Sequence, residues 1–260
     1  MIKSRTLFAL ANLFGFLTFF WPFFDWFPGK ELSTLQSSGL AILISFIAIL
    51  IIAFDLSAGL LDSKTVAIVG VMTALIASLR LLGAGAIGIE PMWFMLILTA
   101  RIFGPRLGFS IGILAMAVSA LLTGGIGPWL AFQMFAAGWI GIAVGIIPKS
   151  FRNKLELFAL ALYGVIASLV FGIFMDLQLW PWLAGNLTQL SYDSNLGAVD
   201  NLGRFLSFHF ATALSWDIPR AITTAILILI AGPAIVQSLR RAEAKISITS
   251  HARQQVAKVQ

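Results

Sequence analysis

Residues 100–145 read ARIFGPRLGFSIGILAMAVSALLTGGIGPWLAFQMFAAGWIGIAVG. Two long apolar runs, 105–123 and 128–147, flank the short break GGIG at 124–127. A helix rises about 1.5 Å per residue, so roughly 20 apolar residues cross the ~30 Å hydrocarbon layer of a membrane. Each run is about that long, and neither alternates with period two as a barrel strand would. Pro128 suits the first turn of a helix, where its missing N–H costs nothing. Arg101 and Arg106 stand at the start of the pair and Lys149, Arg152 and Lys154 just after it, with no Lys or Arg at the turn between. The stretch reads as a transmembrane helical hairpin with both basic ends in the cytoplasm.

Working outward, the same pattern recurs. Apolar runs at about 6–24, 38–54, 65–82, 87–103, 155–175 and 205–233 bring the count to eight. The last is longer than a crossing needs and predicts a tilted helix. The first run is too long for a signal peptide, lacks a small-x-small cleavage site, and reads as a retained span. The fold class is therefore an all-α integral membrane protein with eight transmembrane helices.

Composition points the same way. Of 260 residues 59% are hydrophobic and 11% are charged, against about 25% charged in soluble domains. The mean hydropathy is +0.96. A soluble enzyme, a disordered chain and a fibrous repeat are excluded. There is no cysteine, so disulfides and thiolate chemistry are excluded too. Two histidines, His209 and His251, are too few for a histidine metal site, and no metal or other cofactor is expected. No G-x-x-x-x-G-K-[ST], H-E-x-x-H or G-x-S-x-G occurs, so the chain has no phosphate loop and no hydrolase signature. It does not read as an enzyme.

The net charge of +6 is a topology signal. With the N-terminus inside, the cytoplasmic segments hold Lys3, Arg5, Lys64, Arg101, Arg106, Lys149, Arg152, Lys154, Arg240, Arg241, Lys245, Arg253 and Lys258, 13 of 17 basic residues. Lys30, Arg80 and Arg204 lie outside, and Arg220 sits within the last helix. Eight spans then put both termini in the cytoplasm of a plasma-membrane protein. The basic tail acts as an anchor beside the bilayer, and no nucleic-acid partner is called for.

Polar residues at membrane depth are costly, so they mark function. Arg80 ends the third helix at the level where Glu90 begins the fourth, and the two could simply pair. His209, Trp216 and Arg220 fall within about 40° of one another at 100° per residue and form one stripe. Asp217 and Arg220 have ion-pair spacing and could neutralise each other. Trp129, Phe132 and Gln133 share the outer start of the sixth helix, where an amide among aromatics suits a flat, polar-edged ligand. Residues 176–204 form the longest outer loop, with Trp180 and Trp182, and a loop of that length suggests a lid. Gly70, Ala74 and Ser78 repeat every four residues on the third helix, as a close helix contact requires. So do Gly108 and Gly112, and Gly141 and Gly145; such pairs serve either internal packing or docking. The first two spans are dominated by Phe and Ile, as lipid-facing helices are. Within 1–56 only Asn12 and small hydroxyls are polar at depth, so this pair is expected to offer a ligand little.

From residue 64 to about 241 the chain resembles the substrate-binding S components of energy-coupling factor (ECF) transporters. The resemblance is carried by residues 100–145, by FGIFMDLQLWPW (171–182), and by SWDIPRAITTAILILIAGP (215–233) ahead of a basic tail. The combination GPW…FQMF…GW looks most like the subgroup that includes cobalamin-type S components. The resemblance implies a six-helix core with both ends inside, matching the six spans counted from 64. The chain then divides into two extra helices (1–61), the core (62–241) and a basic tail (242–260). It also implies capture of a vitamin or cofactor precursor, a cobalamin-like one among them, at the outer face. Its partners would be an energising ECF transmembrane subunit and two ABC ATPase subunits. The family's docking face maps to Gly70, Ala74 and Ser78. Its pocket region maps to Arg80, Glu90, Trp129, Phe132, Gln133, Trp180, Trp182 and His209, with Trp216 on the same stripe. The alternative is an ion-coupled secondary transporter of a small organic solute, with Asp217 as its one buried acid, although no inverted repeat supports it.

Overall fold

The computed structural model describes residues 4–23, 63–83, 87–183 and 188–257, together with Gly39, Leu43 and Phe46. The expected second span, 38–54, lies outside the described residues except at those three positions. Among the described residues the fold is all-helical, with α1 (Ser4–Phe20), α2 (Ser63–Leu82), α3 (Met92–Phe103), α4 (Pro105–Thr123), α5 (Leu130–Ala143), α6 (Asn153–Leu183), α7 (Ala198–Thr212), α8 (Leu214–Ile230) and α9 (Gly232–Ala257). By length and composition α2, α4 and α6 can each cross a membrane, and the bent pair α7–α8 makes a fourth candidate. The runs 6–24, 87–103 and 128–147, read as full spans, appear as shorter apolar helices.

The bundle is built around α3. Its sequence MWFMLILTARIF is apolar on every side, and Met92 through Ala100 are all buried. A helix apolar all round belongs at the centre of a bundle. Helices α2, α4, α5, α6, α8 and α9 all contact it. At twelve residues it spans only about 18 Å. The irregular stretch before it packs on α8 at Gly88, while Ile87 and Ile89 beside it are exposed. Gly88 has φ +65°, and a Cβ there would strike the backbone carbonyl of Trp216. Only glycine lets this connection lie so close to α8.

The small residues divide into two groups. A Cβ on Gly108 would meet the Gly141 backbone, one on Gly112 the Ala137 backbone, and one on Gly145 the ring of Pro105. These glycines let α4 and α5 touch along their length. Gly70, Ala74 and Ser78 are instead exposed on α2, and nothing lies within 4 Å of where a Gly70 Cβ would be.

Helix α1 enters the core rather than merely facing lipid. Phe19 is fully buried and packs on Phe132 at 4.9 Å, Phe174 at 5.0 Å and Trp139 at 5.4 Å between ring centroids. The indole N–H of Trp139 donates to Asn12 Oδ1 at 2.7 Å. Composition could not show this, because a Phe-rich helix suits lipid and an aromatic core equally well.

Two other stretches differ from the sequence reading. Helix α6 runs on to Leu183 and α7 begins at Ala198, so both ends of the loop expected over 176–204 are helical. The expected single helix over 205–233 bends by 64° between α7 and α8. Pro219, inside α8, has no N–H for the Ser215 carbonyl, which weakens the helix just past the bend.

At the opposite end of α3, Arg101 donates to Glu156 at 2.8 Å and to the carbonyls of Ile147 and Pro148 at 2.8 and 3.0 Å. Arg240 reaches the other Glu156 oxygen at 2.6 Å. This cluster, with Arg101 and Glu156 buried and Arg240 exposed, ties α3, α6 and α9 to the connection after α5.

A candidate substrate site at the outer end of the bundle

The outer end, so named from the charge distribution, carries three polar groups. Arg80, near the end of α2, donates to Ser119 Oγ on α4 at 2.8 Å and to Gln133 Oε1 on α5 at 3.1 Å. Three helices are thereby joined by one guanidinium. Glu90 does not bond Arg80. Its carboxylate accepts the indole N–H of Trp93 and the Nε–H of Arg220, the latter at 3.2 Å. The suggested Arg80–Glu90 pair is replaced because α8 brings Arg220 to the start of α3.

Arg220 is the hub. It donates to Asp217 Oδ1 at 2.7 Å and to the Ser168 carbonyl at 3.3 Å, and it lies 5.0 Å over the Phe171 ring. Trp93 packs on the same ring at 4.4 Å. A buried ion pair is tolerated only when its remaining groups find partners, and Arg220 meets that condition. Asp217 does not do so fully. It is 1% exposed, and its Oδ2 is buried without a hydrogen-bond partner among the described residues. A Cβ on Gly172 would fall on this carboxylate, so glycine is what admits it.

His209 on α7 pairs through Nδ1 with Asp176 on α6 at 2.8 Å and stacks on Phe205 at 6.0 Å. The bend after α7 dissolves the stripe expected from one continuous helix. His209 and Arg220 are buried, while Trp216 is 48% exposed. Trp129 is 40% exposed just before α5, and Phe132 is buried under Phe19. Trp180 is fully buried, donating to the Leu190 carbonyl at 2.7 Å and packed against Phe23, Tyr192 and Phe205. In this conformation it shores up the segment after α6 and presents no free face. Trp182 lies on α6, and its side chain is outside the described residues.

The sequence reading thus named Arg80, Gln133, Glu90, Asp217, Arg220 and His209, and the structure gathers these at one end. It omitted Trp93, Ser119, Ser168 and Asp176. Asp176 had a legible signal, an acid closing a long apolar run. Ser119 and Ser168 had none, because serine in a membrane helix usually bonds its own backbone. Chemically the site offers carboxylates, an amide and guanidinium groups among aromatic rings. Among the described residues no group of three or more His, Asp or Glu side chains is placed to hold a metal ion.

Comparison with known proteins bears on this arrangement. An alignment of 131 positions, covering 48% of the chain, is 28% identical to UPF0397 protein VS_II0189 of Vibrio atlanticus (strain LGP32) and spans 65% of that protein's length. No solved structure matches significantly. Residues 60–241 match the family described as ECF-type riboflavin transporter, S component. That interval holds α2 through α8, the central helix and every polar residue of the outer site. The chain is a helical membrane protein, and it belongs to the family of ECF-type riboflavin transporter S components.

Proposed function

We propose that the chain captures a vitamin-class molecule at the outer end of the bundle and delivers it inward with separate energising subunits. The observation that carries this reading is the family match over 60–241, which among the described residues holds the buried polar groups of the outer end. The chain lacks a phosphate loop, so ATP-driven uptake requires two ABC ATPase subunits and a transmembrane partner. Gly70, Ala74 and Ser78 form the docking face, since their exposure leaves room for a facing helix at close range. The full architecture is eight spans with both termini in the cytoplasm.

The substrate is a flat ring system with polar edges. Trp129 has an open face for stacking, and Gln133, Arg80 and Glu90 supply an amide, a cation and an acid for its edge. Riboflavin is the first molecule to test, given the family description, and a cobalamin-type precursor is the second. The test is titration of the purified chain with each compound, followed by intrinsic tryptophan fluorescence. Saturable quenching by one of them, weakened about tenfold or more by Gln133→Ala, is the expected result. That is the scale of one lost buried contact of about 1.4 kcal/mol. No response to a full vitamin panel would overturn the reading.

One observation favours a second reading. The unpartnered Asp217 Oδ2 is the kind of group that takes up a proton or cation in an ion-coupled secondary transporter. Accumulation in vesicles holding this chain alone, driven by an ion gradient and abolished by Asp217→Asn, would favour that reading over the first.

A further inference from the structure

A groove of about 710 Å³ opens at the basic end of the bundle, between the end of α3, the connection after α5 and α9. We propose that it binds the phosphate of an anionic phospholipid headgroup. Its charged lining is Arg101, Lys149, Arg152 and Arg240 against Glu156 and Glu243, four cations to two acids.

These residues fall into a floor and a rim. In the floor, Arg101 is committed to Glu156 and to the carbonyls of Ile147 and Pro148, and Glu156 is shared with Arg240. The charges of the floor are largely answered among themselves. The rim is different. Lys149 and Arg152 are exposed and form no ion pair among the described residues, and with the exposed Glu243 they leave the rim one positive charge in surplus. A concavity with surplus positive charge gathers anions, and guanidinium and ammonium groups suit phosphate oxygens.

The same groove decides between a lipid and a soluble phosphate. Phe103 and Ile147 line it beside the cations, so a ligand there presents phosphate and apolar matter together. The basic end also lies at the headgroups of the anionic cytoplasmic leaflet, where basic pockets between helices hold such lipids. This step rests on the orientation proposed above.

The experiment uses the full chain purified in neutral detergent. Thermal unfolding is followed with short-chain phosphatidylglycerol, with phosphatidylcholine of equal chain length, and with inorganic phosphate. Native mass spectrometry reads lipid retention in parallel. Phosphatidylglycerol alone should raise the unfolding temperature. Lys149→Gln with Arg152→Gln should cut its retention about tenfold or more, the scale of two lost cationic contacts. Lys64→Gln with Lys154→Gln removes equal charge from the same end outside the groove and should retain lipid normally. Equal loss in that second variant would reduce the effect to diffuse attraction and overturn the site. Stabilisation by inorganic phosphate as strong as by the lipid would overturn the lipid assignment. Orientation is read separately. The chain has no cysteine, so Ser150→Cys reports its side through a membrane-impermeant thiol reagent. Labelling from outside would overturn the leaflet assignment and the proposed topology while leaving the headgroup preference itself measurable.

Discussion

Glu156 and Gly172 show how much single side chains carry in a bundle this apolar. Both Glu156 oxygens are taken, one by Arg101 and one by Arg240. Glu156→Gln would leave the buried Arg101 without its counter-charge. Breaking a buried pair from one side costs about 3–5 kcal/mol, far more than the intact pair contributes. The expected outcome is a sharply lowered unfolding temperature in detergent, and unchanged melting would show that water reaches Arg101. Gly172 faces Asp217 so closely that any side chain must displace the carboxylate. Gly172→Ala should destabilise by about 1–3 kcal/mol, as overpacking does. It should also disturb ligand affinity through Arg220, whereas Gly203→Ala, in open space on α7, should do neither.

At the scale of elements, small residues do opposite jobs on neighbouring helices. Those between α4 and α5 are filled by facing backbone, and those on α2 face outward. Gly141→Leu should therefore lower yield and unfolding temperature. Ala74→Leu should leave the isolated chain stable and ligand-competent while reducing copurification with the energising membrane subunit. Normal copurification of Ala74→Leu would place docking elsewhere. Helix α1 makes a related case. Its Phe19 fills a space among Phe132, Trp139 and Phe174, and Asn12 accepts the Trp139 N–H. A chain beginning at Asp62 would expose those rings and orphan that donor. Its thermal unfolding in detergent should fall measurably, and equal melting of the two chains would show α1 to be peripheral.

For the whole molecule, the central fact is that a short, buried and mostly apolar helix is roofed by charged groups. The outer cluster links the start of α3 to α6 and α8, and a second cluster links α2, α4 and α5. A ligand entering between them would meet side chains from most of the bundle. Binding and release would then depend on helix positions, as a transport component requires. Vesicles containing this chain alone should bind substrate without accumulating it, and accumulation should appear when ATPase and membrane subunits are supplied with ATP. Robust uptake by the chain alone would overturn the assignment to an ATP-driven system.

Sequence by itself determined the solvent and the all-helical class, because long apolar runs admit few other readings. It also singled out Arg80, Glu90, His209, Asp217 and Arg220, since charge at membrane depth is rare enough to stand out. Partners were decided only by tertiary structure. Arg80 bonds Ser119 and Gln133 rather than Glu90, Trp180 turns inward, and α1 joins the core. Each depends on which helices become neighbours, and hydropathy is blind to that because lipid and protein interior are equally apolar. The α7–α8 bend was hidden for a related reason. A proline weakens a membrane helix, but neighbouring helices decide whether and where it bends.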